Sequence, residues 1–169
     1  MSGRGDVLRV NYKNITPAVL PGVLSLIGWP GDIRHLQGHF ATLVDAADRV
    51  AVGIDLVDGH VWPSIGFEIF CDHPLPSGRW DRILDHLCAH GLCSTEKRAA
   101  LAGIEASLSV GDDGQSWPIA WMLPTLRGPE DAYPVVRCHV SHLKLAIGAD
   151  GAGQAKAYVA AEHHWRRGF

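Results

Sequence analysis

No apolar run in this chain approaches the ~18 residues that a membrane span requires. The longest, Ala18 to Trp29, is broken by Pro21, Gly22 and Gly28, so no membrane association is expected. Met1 to Asp6 lacks the charged-then-apolar layout of a signal peptide, and the expected location is the cytoplasm. Cysteine is scarce. Cys71, Cys88, Cys93 and Cys138 form no Cys-x-x-Cys pair, which suits buried thiols in a reducing compartment. Charge of one sign is also missing: 15 Lys and Arg stand against 18 Asp and Glu, with a net charge of −3. A nucleic-acid reader would carry a basic stripe, and that partner is not expected. There is no Walker loop, GxGxxG, GxSxG or His-Glu-x-x-His sequence, which removes the commonest nucleotide, hydrolase and zinc-protease signatures.

What the chain does have is ordinary globular composition, 47% hydrophobic and 20% charged over 169 residues. That is enough for a single domain spanning 1–169 with its own core. Thr16-Pro17 reads as the cap and first residue of a helix over 17–28. Asp32 caps a second helix over 33–47, where Ile33, Leu36, Phe40, Leu43, Val44 and Ala47 form an apolar stripe. A hairpin follows. Val50, Val52, Ile54 and Leu56 alternate with polar or small residues, Asp58-Gly59 supplies a type I′ turn, and Val61, Ile65, Phe67 and Ile69 resume the alternation. Two more helices are expected over 79–91, with Gly91 as the residue past its end, and from Thr95 to Ala106 behind Ser94. The stretch 107–133 reads as a loop, with a helical turn over Ile119 to Leu123. Strands from Val135 to Ile147 and from Gln154 to His163 close the chain. The apolar parity changes between Val140 and Leu143, which predicts a β-bulge near Ser141 or His142.

The order is therefore ααββ, then ααββ again: an α+β fold with an antiparallel sheet covered by helices on one face. The other sheet face should carry Asp55, Trp62 and Glu68 on the hairpin. His142, Lys144, Lys156 and Tyr158 should join them from the last two strands. Two carboxylates, two ammonium groups, an imidazole, a phenol and an indole suit an anionic, partly apolar small molecule and a proton transfer. A solvated sheet face would carry similar residues.

Lys156-Ala157-Tyr158-Val159, with the ααββ order, is similar to the Lys-x-Tyr strands of aromatic prenyltransferases with the ABBA, or PT-barrel, fold, those of the dimethylallyltryptophan synthase type. The resemblance implies a polar sheet face in a reduced barrel or half-barrel. Lys156 and Lys144 would hold a prenyl diphosphate, Tyr158 and Trp62 would shield an allylic cation, and Glu68 or Asp55 would accept the acceptor's proton. It requires no metal or other cofactor. A closed barrel needs more units than the two present, so a homo-oligomer completing the site is one expectation.

Histidines at i,i+4 spacing, His35 with His39 and His86 with His90, are a second pattern, as is the run Cys138, His139, His142. Both helical pairs fall on stripes opposite the apolar ones, so solvated side chains rather than metal ligands are expected. The alternative to an enzyme is a peptide- or protein-binding partner in a biosynthetic pathway, docking on the same face or on the last strand.

Overall fold

The computed structural model describes residues 7–72, 77–104, 106–109 and 132–167. Within them the order is β1 (Val7–Lys13), α1 (Leu20–Leu26), α2 (Ile33–Ala46), β2 (Arg49–Val57), β3 (His60–Phe70), α3 (Gly78–Ala89), α4 (Thr95–Ala102), β4 (Ala106–Ser109), β5 (Ala132–Gly148) and β6 (Gly153–Arg167). The helix ends follow their local chemistry. Asp32 accepts from the amides of Arg34 and His35 at 2.9 and 3.1 Å, and Ser94 accepts from that of Lys97 at 3.2 Å. Gly91 sits past α3 with φ +67°. The first helix begins at Leu20 rather than Pro17 because Pro21 has no amide hydrogen and fits only in a first turn. The residues before it form a turn on the carbonyl of Thr16.

The strands form one antiparallel sheet in the order β1-β2-β3-β5-β4, with β6 on the other edge of β5. The long β5 is shared along its first edge: Val135–Cys138 pair with β4, and Leu143–Gly148 pair with β3. β6 runs along its whole second edge, and the bulge between Val140 and His142 lies where expected. Two strands are additional to the four expected. β1 has no clean alternation and is mostly exposed, and the four-residue β4 takes Ala106 from the end of the expected fourth helix, which stops at Ala102, and the rest from the expected loop. The expected turn over Ile119 to Leu123 lies outside the described residues.

The hairpin turns at Asp58 and Gly59, both at positive φ, and pairs Val57 with His60. Its register then slips by two residues. Ile54 pairs with Ile65 while Leu56 pairs with Val61, leaving one residue of β2 against three of β3. Pro63, with no amide hydrogen to give the ladder, lies in the irregular stretch. A slip of two preserves each residue's face but changes its partner. Gly53 meets Gly66 rather than Ser64, and Ala51 meets Glu68 rather than Gly66.

One face carries Val52, Ile54, Ile65, Phe67, Ile69, Leu143, Leu145 and Ile147, which join one core with the buried sides of α1, α2 and α3. α4 buries no residue; Arg98 ties it to α3 through Asp81 and Asp85 at 3.1 and 3.0 Å. At the centre Phe67 stacks on Phe40, with centroids 5.2 Å apart and planes at 22°, and both are fully buried. Phe67→Ala is expected to cost about 3–5 kcal/mol, the usual loss for a buried aromatic, read from urea denaturation midpoints. A loss below about 1 kcal/mol would show that this contact is not the core of the sheet–helix interface.

Candidate functional site

Directly paired residues in antiparallel strands share a face, so the open face can be read as rows crossing the sheet. The first row is Arg49, Phe70, His142 and Tyr158. The Arg49 guanidinium carbon lies 4.6 Å from the Phe70 centroid. Phe70 and His142 stack at 5.1 Å, and His142 and Tyr158 at 4.4 Å with planes only 8° apart. Four strands thus contribute to one continuous stack. His142 Nδ1 also lies 3.1 Å from the Ser141 hydroxyl. The next row is Lys13, Ala51, Glu68, Lys144 and Lys156. The third, Asn11, Gly53, Gly66, Ala146 and Gln154, has three of the smallest side chains at its centre.

That small centre is a floor. A Cβ on Gly66 would stand 3.4 Å from Lys144 Cε, and one on Gly53 would stand 3.1 Å from Asn11 Oδ1. The neighbouring side chains therefore lie over the glycines because nothing there lifts them away. Above the floor is a cleft of about 40 Å³ lined by Arg9, Asp55, Ser64, Glu68 and Lys144. It has room for a small anion or a few waters.

Arg9 closes one side of the cleft. Its Nε and Nη2 donate to the two carboxylate oxygens of Asp55 at 2.6 and 2.5 Å. This hydrogen bond raises the guanidinium pKa further, with smaller electrostatic contributions from Asp55, Glu68 and Tyr158. A carboxylate held at both oxygens by a permanent cation is a weaker proton acceptor, and this pairing is where Arg9 places Asp55. Glu68 is half-buried and pairs with Lys144 across β3 and β5.

Of the residues expected on this face, Glu68, His142, Lys144, Lys156 and Tyr158 are grouped in two adjacent rows. Trp62 is not with them. It lies eight residues along β3 from Phe70, about 26 Å at ~3.3 Å per residue, and is half exposed in the register slip of the hairpin. It cannot cover the same ligand atom as Tyr158. Lys144 and Lys156 face each other across β5 and β6, but Lys144 leans over Gly66 into the cleft. Lys156 stays on the open face but outside the cleft lining, and on the helix side the segment Ala155–Ala157 borders a groove of about 280 Å³ lined by Leu87, Leu92, Leu101, Leu143 and Lys97. That groove arises where α4 stands off the sheet, which helix periodicity does not reveal. Arg9 was also missed, because a strand without alternation gives no signal of its face.

The histidines depart most from expectation. α2 and α3 lie side by side and antiparallel. Arg79 donates to the carbonyls of Ala46 and Ala47 at 3.4 and 3.2 Å, and Arg82 reaches Asp45 at 3.3 Å. At the other end of the seam His39 Nδ1 lies 2.9 Å from His86 Nε2, and the His39 ring is 4.4 Å from that of His90. His39 is 5% exposed, replacing Val44 in the buried stripe of α2, and is not solvated. One nitrogen from each of His39, His86 and His90 lies within 4.8 Å of the others. Cys138, His139 and His142 do not converge in this way: His139 faces Glu162 at 3.7 Å, and His142 is in the stack.

Burial, and then the neighbouring His90, His86 and His35, push the His39 pKa down to about 4, and burial followed by His90 lowers that of His86. The unfolded chain takes up a proton near pH 6.5 that folded His39 refuses until about 4. Stability is then complete above the unfolded value and falls as pH drops through this window. In chelator, the urea midpoint should be lower at about pH 5 than at about pH 7.5, and His39→Gln should flatten the difference. An equal drop in wild type and variant would remove His39 as the source. Comparison with family models, curated proteins and solved structures gave no match, so the reading of this site rests on its geometry.

Proposed function

We propose that the open sheet face binds a small molecule with an anionic head and a flat or apolar body. The observation that carries this reading is the adjacency of two features. Lys144 lies over the Gly53–Gly66 floor, and the Phe70–His142–Tyr158 stack lies on the far side of the Glu68–Lys144 row. The floor and the stack are four residues apart along each strand, about 13 Å at ~3.3 Å per residue. A head held in the cleft can therefore lay its body across the stack. The ammonium supplies charge-assisted hydrogen bonds to the head, and the aromatic faces supply apolar contact and favourable geometry for a cationic or aromatic group.

The narrower form of this reading is prenyl transfer, supported by the likeness of Lys156-Ala157-Tyr158 to the Lys-x-Tyr strands. An allylic diphosphate would lose its diphosphate to Lys144 and Lys156, and Tyr158 would shield the cation. The new bond would form to a ring carbon of the acceptor, whose proton would pass to Glu68. The cleft itself is too small to enclose a prenyl chain, so this form needs a cover over the face, and a second copy of the chain is the simplest.

The second reading has its own observation. Among the described residues β6 pairs only with β5, and Tyr158 and Val159 on it are 42% and 52% exposed. A peptide added as a further strand would use this edge, which fits a partner protein of a biosynthetic enzyme rather than an enzyme.

Calorimetry with dimethylallyl and geranyl diphosphate separates these readings. The sheet-face reading predicts binding by wild type and at least a tenfold loss in Lys144→Ala, about what one charge-assisted hydrogen bond contributes. The transfer form adds a similar loss in Lys156→Ala. Absence of heat in a folded sample, or unchanged affinity in Lys144→Ala, would rule the reading out and favour the β6 edge.

A further inference from the structure

We infer that His39, His86 and His90 form a binding site for a divalent transition-metal ion of the zinc class, at the seam between α2 and α3. The site is independent of the sheet face: its ligands come from the helices, on the far side of the core.

The geometry comes from two helices, each fixing its ligands by ordinary spacing. His86 and His90 are one turn apart and point the same way. His39 comes from the middle of α2, between fully buried Leu36 and Phe40, so its backbone is anchored by the core. The three candidate nitrogens lie within 4.8 Å of one another. Tetrahedral zinc with bonds of about 2.0–2.1 Å separates its nitrogen ligands by roughly 3.3 Å. Small rotations of half-buried His86 and exposed His90 span the difference, while buried His39 stays in place. The seam is braced at its other end by the Arg79 and Arg82 contacts, which hold the helices in this alignment without the histidines.

The chemistry of the donors selects the ion. All three are imidazoles, and no carboxylate belongs to the group. Neutral nitrogen ligands suit zinc, cobalt, nickel or copper rather than magnesium or calcium, which take oxygen. Three protein nitrogens leave a coordination position for water or for His35, whose ring meets that of His39 edge-on at 4.7 Å. His90 also occupies the C-terminal cap of α3, where the helix dipole favours positive charge. Without an ion, the cluster consists of edge-on and tilted rings sharing the 2.9 Å contact of His39 with His86. That packing accounts for the His39–His86 contact, but leaves a nitrogen of His90 within 4.8 Å of both without a hydrogen-bond role among them.

The test uses the full chain, stripped with chelator and dialysed, titrated with zinc by calorimetry and with cobalt by visible absorption. One equivalent should bind, cobalt should show the intense bands of a low-coordinate nitrogen site, and the melting temperature should rise. His86→Gln and His90→Gln, at partly exposed positions, should each weaken binding at least tenfold while leaving the metal-free melt close to wild type. His163→Gln with His164→Gln serves as the control for the histidines of β6 and should change nothing. No saturable binding, or binding unaffected by His86→Gln and His90→Gln in folded protein, would overturn the site. Loss of binding in the β6 control instead would move the ion to that strand and equally overturn it.

Discussion

The structure depends on covering one face of the sheet with helices, while among the described residues no helix packs on the other. The alternation along β2, β3 and β5 puts Val52, Ile54, Ile65, Phe67, Ile69, Leu143 and Leu145 on one side, and that apolar surface is stable only beneath helices. α1, α2 and α3 provide the cover. Both candidate sites follow from this arrangement. The face on which no described helix packs has room for charge, aromatic stacks and a glycine floor. Side-by-side packing of α2 and α3 on the covered face brings four histidines into neighbouring rings.

On the open face, charge is arranged by the register of strand pairs that are distant in sequence. Arg9 reaches Asp55 because β1 pairs with β2 in one particular register, and Lys144 stands beside Glu68 because β3 pairs with β5 in another. The two-residue slip in the hairpin brings Gly53 opposite Gly66, and this creates the space into which Lys144 leans. Pairing Gly53 with Ser64 and Ala51 with Gly66, as an uninterrupted hairpin would, scatters the small residues and leaves no floor.

Features set by local chemistry were legible in the sequence. The Asp58-Gly59 turn was, because both residues must take positive φ. So were the bulge at Ser141, because apolar parity cannot change without one, and the caps at Asp32 and Ser94, because their side chains meet nearby amides. Features set by partners distant in sequence were not. Nothing in Val7–Lys13 marks a strand, since that strand is held by its neighbour rather than by burial of its own side chains. Trp62 belongs to the expected face but lies at the wrong end of β3, because alternation gives a side and not a position along it. The helical histidine pairs were placed opposite their own apolar stripes. The flank of each helix that meets the other depends on how the two sit on the sheet, which a single helical wheel does not contain.

Among the described residues one sheet face is packed beneath helices and the other is open. The most direct measurement of this difference is solvent paramagnetic relaxation by NMR, with a neutral, soluble gadolinium chelate and assigned side-chain signals. The rings of His142 and Tyr158 and the Lys144 side chain should relax strongly, while the methyl groups of Ile65, Ile69 and Leu145 stay nearly unaffected. Protection of Tyr158 and Lys144 to the level of those methyl groups would show that this face is covered rather than open.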